Sequence, residues 1–255
     1  MAKRKDRKGS SLLEFVKTIV YAVLIAIGIR TVVAEPFNIP SGSMIPTLLV
    51  GDFLFVSKFS YGYSRYSLPF GLPLFEGRIF GRMPERGDVA VFKLPRDNST
   101  DYIKRVVGLP GDRIQVIGGV LHINGQPVRR QPAGNAIDAE WGRTMEVRRY
   151  IETLPNGRRH YIAEQTDSGP LDNTREFAVP EGHVFMMGDN RDNSLDSRVM
   201  AESGGVGFVP LVNLVGRAEF LFFSIDDSAR LLAPWTWPFA IRWSRLLNAI
   251  DTEFR

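Results

Sequence analysis

The chain holds 255 residues, 44% of them apolar or aromatic by type, at a net charge of +4 with three histidines and no cysteine. Such a composition builds one domain with an elaborated lobe. It excludes disulfides and thiolate zinc or redox centres, and it argues against a histidine-built metal site.

The chain begins with a basic tail, Lys3-Arg4-Lys5-Asp6-Arg7-Lys8. Beside an apolar helix this reads as the cytoplasmic flank of a membrane anchor rather than a nucleic-acid arm. From Phe15 to Ala34 only Lys17, Thr18, Tyr21, Arg30 and Thr31 break the apolar run. About 20 helical residues cross the hydrocarbon core, and Lys17 and Arg30 stand near the rims, where long cations reach the headgroups. The predicted division is a cytoplasmic tail at 1–14, a single transmembrane anchor at 15–34 and an extracytoplasmic domain at 35–255. Val32-Val33-Ala34 also resembles a small-residue cleavage site, so a leader removed after Ala34 is the competing reading.

Directly after the anchor comes Pro40-Ser41-Gly42-Ser43-Met44-Ile45-Pro46-Thr47. A serine nucleophile needs an exposed Oγ and nearby backbone N–H donors for an oxyanion. Gly42 lets the chain turn tightly enough for Ser41 and Ser43 to supply both. Taken alone, Ser-Gly-Ser is a common loop.

Beyond this turn the sequence is β-rich. Phe53–Lys58, Val89–Leu94, Ile103–Val107, Asp112–Ile117, Val120–Ile123 and Val215–Phe223 are short apolar or alternating runs, many bounded by glycine turns. Asn124-Gly125 is a hairpin signal. No long 3.6-residue period occurs between Pro36 and Phe223, which disfavours an α/β fold. The expected fold is mainly β: a sandwich or partly open barrel behind one transmembrane helix, with a second β lobe inserted at about residues 113–180. Tyr61–Arg86, Pro132–Arg143 and Gln165–Thr174 are predicted to be loops, the first a flexible or bilayer-touching flap. Leu231–Ala249, with Trp235, Trp237 and Trp243, reads as an interfacial segment or a helix packed on the domain.

Two further stretches carry chemistry. Asp101-Tyr102-Ile103-Lys104-Arg105-Val106-Val107-Gly108 sets Lys104 inside a strand pattern. Burial disfavours ammonium and makes a lysine a base near neutrality; the plain alternative is a surface lysine. Gly188-Asp189-Asn190-Arg191-Asp192-Asn193-Ser194-Leu195-Asp196-Ser197-Arg198 is dense in turn formers and charge. Its alternating oxygens suggest calcium, but it lacks the EF-hand order and terminal glutamate, and Arg191 and Arg198 oppose a cation. A solvated loop, or an ion-paired loop presenting Ser194 to a catalytic lysine, are the other readings.

Pro40–Leu48, Tyr102–Asp112 and Gly188–Arg198, with Arg86–Phe92 as a structural fourth, closely resemble in order the signature segments of bacterial type I signal peptidase. The resemblance covers the anchor boundary and most of the catalytic lobe, not the intervening lobe or the C-terminus. It implies a membrane-anchored Ser-Lys serine endopeptidase that cuts signal peptides from exported preproteins after small residues, alanine at P1 and P3. Ser43 would be the nucleophile and Lys104 the general base. Ser41 Oγ and the Ser43 N–H would form the oxyanion hole. Ser194 would orient the Lys104 amine. Asp189 and Arg105 would form a supporting ion pair, with Asp196 and Arg198 as loop scaffolding. Phe37, Ile39, Met44, Leu48 and Ile103 match positions lining shallow apolar pockets. No metal, cofactor or nucleic acid is called for; the implied partners are signal peptides and the bilayer of the inner membrane, with the catalytic domain periplasmic. Competing readings are another Ser-Lys protease of pilin-processing or self-cleaving type, a Ser-His-Asp hydrolase using His183, and a non-catalytic anchored envelope β-domain.

Overall fold

A computed structural model describes residues 7–68, 71, 74–140, 143–229 and 233–250. Most of the expected basic tail, residues 1–6, lies outside the described residues. Helix α1 (Arg7–Val32) contains a run, Leu12–Val32, long and apolar enough to cross a membrane. Its side chains are exposed all round, Leu12 at 66% and Ile25 at 63%. A run this apolar and exposed on every face fits a membrane anchor.

The helix passes into strand almost at once. The strands are β1 (Ala34–Asn38), β2 (Asp52–Ser57), β3 (Tyr63–Ser64), β4 (Arg78–Ile79), β5 (Val89–Lys93), β6 (Asp101–Gly108), β7 (Arg113–Ile117) and β8 (Val120–Ile123). They continue with β9 (Gln126–Pro127), β10 (Arg129–Glu140), β11 (Arg143–Thr153), β12 (Arg159–Glu164), β13 (Phe177–Ala178), β14 (His183–Met187), β15 (Val209–Pro210) and β16 (Leu214–Ser224). A seven-stranded antiparallel sheet runs in the order β1-β2-β16-β5-β6-β14-β15. Between β6 and β14 the chain leaves this sheet to build a four-stranded sheet, β13-β7-β8-β9, and the three-stranded β10-β11-β12. The fold is therefore mainly β with an inserted lobe, as the alternating runs predicted.

Alternation explains the core. Along β5, Val89 and Val91 join one buried cluster with Met44, Leu48, Leu54 and Val56, while Ala90 and Phe92 join another with Tyr61, Val106 and Met186. Both faces of this strand are covered, which its unbroken apolar run requires. A third cluster, built on Val107, Ile114, Leu121, Phe177 and Phe185, packs the four-stranded sheet against the large one. Register shifts along β16 between Leu214 and Gly216, Ala218 and Phe220, and Leu221 and Phe223 bend the large sheet. It curls into a half-barrel, since the turn after β1 touches β6 although three strands separate them in the order.

Two predicted loops differ. Residues 132–140 lie within β10, paired to β11, and the register shift between Pro132 and Asn135 shows how Pro132 and Gly134 are accommodated. The Tyr61–Arg86 stretch is no free flap in its described part. Tyr61 is buried, and Arg78 donates to the carbonyls of Gly62 at 2.7 Å and Leu211 at 2.8 Å. At the C-terminus a short helix α2 (Trp237–Ala240) and 3-10 turns leave Trp235, Phe239, Trp243 and Leu247 exposed. Arg245 ties this segment back through Asp52 at 2.6 Å.

Candidate active site

Ser41-Gly42-Ser43-Met44 forms a 3-10 turn over Gly42–Met44, with Ser41 at its N-cap in extended conformation. The turn is fixed from below. Met44 and Leu48 have no exposed surface, each burial contributing about 1.5–3 kcal/mol. The Ile45 N–H closes on the Gly42 carbonyl at 3.0 Å and the Leu48 N–H on the Met44 carbonyl at 2.9 Å. Ser43 is thereby held half-exposed on a rigid base, and the Ser41 hydroxyl, exposed, is not used as a cap.

Lys104 lies on β6 opposite Ala90 and is only 4% exposed. Its Nζ donates to Ser43 Oγ at 2.7 Å and to the Ile103 carbonyl at 2.9 Å. Burial lowers its pKa to about 8, against the opposing pull of the Asp196 and Asp189 charges. An amine that loses its proton this readily, touching a serine hydroxyl, is a base-activated nucleophile in geometry.

The 188–198 loop encloses the pair. Asp189 takes Arg105 in a two-point bond, Oδ1 from Nε at 2.8 Å and Oδ2 from Nη2 at 2.7 Å, both residues buried. Burial works against Asp189 ionisation, but the Arg105 charge and hydrogen bonds outweigh it and hold the carboxyl low. Arg198 grips Asp196 at 2.9 Å through both Nε and Nη2 in the same manner. The expected Arg105–Asp189 pair is thus present, and Asp196 and Arg198, expected as loop scaffolding, also pair with each other.

The expected bond from Ser194 to the Lys104 amine is not formed. The amine is already satisfied by Ser43 and by the carbonyl of its own neighbour, Ile103. Ser194 Oγ is buried above Gly188 with no well-formed hydrogen bond, leaning towards the Asp196 carboxylate. Of the expected pocket residues, all five gather in one apolar cluster, but Ile39, Met44 and Leu48 are closed over while Phe37 and Ile103 keep open faces. His183 bonds the Glu181 carbonyl at 2.9 Å and joins no serine.

Asn190 was not singled out from sequence. Its N–H donates to the Ser43 carbonyl and its Nδ2 to the Gly42 carbonyl, both at 3.1 Å. It is the direct clamp on the serine turn, and a short amide inside a turn-rich segment gives no sign of that. Gly188 is also essential: a Cβ there would lie 2.2 Å from Ser194 Oγ and 2.5 Å from the Ser43 carbonyl oxygen. Thr47, Glu152 and Arg191 extend the support. Thr47 Oγ1 donates to Asp189 at 2.5 Å and Arg191 to Glu152 at 2.6 Å. Burial opposes ionisation of Glu152, yet the Arg191 charge and the His160 ring 3.4 Å away pull its pKa to about 2.

Two strand edges flank the site. β1 is terminal in the large sheet, and β14 pairs β6 only from Arg105 onward, so among the described residues no strand covers the outer edge of Asp101–Lys104. A cavity of about 460 Å³ runs from the end of α1 (Ile27, Arg30, Thr31) past Phe37 and Val215 to Asp101.

A family profile described as signal peptidase, peptidase S26, matches residues 12–223. Signal peptidase I of Rickettsia typhi is 45% identical over 212 residues, covering 80% of this chain and 77% of its own. Signal peptidase I of Rickettsia massiliae is 46% identical over 213 residues, with the same shares. A crystal structure of a signal peptidase I from Enterococcus faecalis, 27% identical, covers 53% of this chain and 97% of that one at a TM-score of 0.31.

Proposed function

The chain belongs to the signal peptidase, peptidase S26, family, and from that premise we propose that it cuts exported preproteins after small residues, alanine at P1 and P3, by a Ser43–Lys104 dyad. Family membership carries the coarser statement, a membrane-associated serine peptidase that removes signal peptides. The observation that carries the finer one is the 2.7 Å contact between a buried amine and Ser43 Oγ.

Neutral Lys104 takes the Ser43 proton as Oγ attacks the scissile carbonyl. The resulting ammonium returns that proton to the leaving amine. Water then gives a proton to the same nitrogen as its oxygen attacks the acyl carbon, and the ammonium hands that proton to Ser43 Oγ as the acyl C–O bond breaks and the carboxylic acid leaves. The Ser43 N–H and the Ser41 hydroxyl receive the oxyanion. The Ile103 carbonyl, 2.9 Å from Nζ, aims the amine. Substrate lies extended between the free edge of β1 and that of Asp101–Lys104, bonded through its main chain. Phe37 and Ile103, partly exposed, wall the slot above the buried Ile39, Met44 and Leu48, and a shallow pocket on that floor would take alanine. The cavity beyond Phe37 leads back to the end of α1, the direction from which a membrane-held signal peptide arrives. The basic flank supports an N-terminus in the cytoplasm and a catalytic domain on the other side.

The test is cleavage of a preprotein by the full chain in detergent, with the cut site read by mass spectrometry. Ser43→Ala and Lys104→Met are each expected to lower kcat by about three orders of magnitude or more without loss of fold. Cleavage retained by either folded variant would refute the dyad.

A further inference from the structure

Away from the dyad, three carboxylates meet where β12 ends. Glu164, Asp172 and Asp192 each place an oxygen within 4.8 Å of the other two. Glu164 and Asp172 are 1% exposed. Asp192 Oδ2 is occupied by the N–H groups of Gln165 at 2.7 Å and Thr166 at 3.0 Å, and Asp172 Oδ2 by that of Gly169 at 2.6 Å. Both oxygens of Glu164, and Oδ1 of Asp172, are buried and accept no hydrogen bond.

Buried carboxylate oxygens without donors are costly, and three carboxylates in one place repel one another. Arg191 acts on Glu164 by its charge, and one cation pairs with it directly: Arg130 Nη1 lies 3.5 Å from Glu164 Oε1. That guanidinium is spent elsewhere, on the Gly119 carbonyl at 3.2 Å and Asp167 at 3.0 Å, and it stacks on Tyr150. Arg191 is committed to Glu152 at 2.6 Å, so neither guanidinium gives Glu164 a hydrogen bond. The space is kept open by two glycines. A Cβ on Gly169 would lie 2.9 Å from Asp192 Oδ1 and 3.2 Å from Asp172 Oδ2, and one on Gly119 would lie 3.0 Å from Glu164 Oε2.

We propose that Glu164, Asp172 and Asp192 bind a divalent hard cation, calcium by preference. All three donors are oxygen, which suits calcium or magnesium and not softer metals. The irregular, carboxylate-rich geometry suits calcium over the strict octahedron of magnesium. Only Asp192 comes from the 188–198 loop, so this is not the loop site that the alternating Asp and Asn residues suggested. The consequence reaches the dyad. Asp192 follows closely on Asn190, and Ala163, beside Glu164, is bonded at 2.9 Å both to the Asp189 carbonyl and to the Arg191 N–H. A bound ion ties the 165–174 stretch to the segment that clamps the serine turn. The rival occupant is a proton: burial pushes Glu164 up to about 8, against the Arg191 and Arg130 charges.

The experiment is calorimetric titration of the full chain, stripped with EDTA in detergent micelles, with calcium chloride and then magnesium chloride, alongside thermal melts. A single saturable calcium site is expected, with Tm raised by about 5 °C or more at a hundredfold excess over Kd. Glu164→Gln and Asp172→Asn, both close in shape to the wild type, are each expected to weaken binding at least about tenfold. Absence of saturable heat and of a Tm rise in the wild type overturns the proposal, as does wild-type affinity in both variants. A Glu164→Gln chain that melts higher in EDTA, in a protein indifferent to calcium, assigns the cluster to a shared proton and equally overturns it.

Discussion

In the proposed mechanism Lys104 acts only without its proton, and its surroundings set the pH at which that happens. With its pKa lowered to about 8 by burial, kcat/KM is expected to climb about tenfold per pH unit below that value and then level. Initial rates across pH 5.5–9.5 (about four units, bracketing the transition) check this, and a plateau already reached at pH 6 would count against Lys104 as the base. The same burial costs stability. Below pH 8 the amine is protonated in both folded and unfolded chains, and the folded state bears the full penalty. Between about 8 and 10.5 the folded chain gives up the proton while the unfolded chain keeps it, so stability rises with pH through that window. The penalty is about 3 kcal/mol. Lys104→Met is therefore expected to melt above the wild type at pH 7, by an amount that shrinks towards pH 10.5. Ser43 and Lys104 were legible in the sequence through the family resemblance of their segments, because either stretch alone reads as well as a common loop or a surface lysine. Ser194 was misread because no pattern shows a lysine folding back on the carbonyl of its own neighbour.

Among the elements, the 188–198 loop is the part on which the serine turn depends. Asn190→Ala removes the bond to the Gly42 carbonyl and strips a buried acceptor, a loss of about 1–3 kcal/mol. It is expected to lower kcat more than it moves KM, and to lower Tm, while the pH at half-maximal rate stays with Lys104. Gly188→Ala is harsher, since the new methyl group meets both Ser194 and the Ser43 backbone. A displacement of about 1 Å at the nucleophile is worth roughly a hundredfold in rate. Unchanged kcat in a folded Gly188→Ala chain would mean the loop does not hold the serine. Strands β2 and β8 were readable because alternation repeats within each of them, and β5 because its apolar run is unbroken. The far part of β10 was not, because Pro132 and Gly134 carry turn chemistry that a bulge absorbs. The grip of Asn190 was invisible for another reason: it joins positions far apart in the chain, and only the closed sheet brings them together.

For the molecule as a whole, the anchor and the sheet share hydrogen bonds. The Lys58 N–H meets the Val33 carbonyl at 3.1 Å, Tyr63 Oη meets that of Val32 at 2.7 Å, and Ala34 pairs with Ser57 inside β1. Glu35 lies between Arg30 and Lys58, 2.9 Å from the latter. A cut after Ala34 would sever a paired strand, so the helix is expected to stay attached. Intact mass of the protein taken from membranes should include the residues before Glu35, and a product beginning at Glu35 would contradict it.

A single residue, Val33, separates α1 from β1. With no slack at that joint, the cutting edge stands like a blade bolted at a set height above the lipid. On the proposed function, a preprotein whose own apolar stretch ends at the same depth is expected to reach the blade at a fixed count of residues, which makes length a second criterion beside side-chain size. A short Gly-Ser insert after Val33 would let the blade swing and broaden the spacings it accepts between a signal peptide's apolar stretch and its alanines.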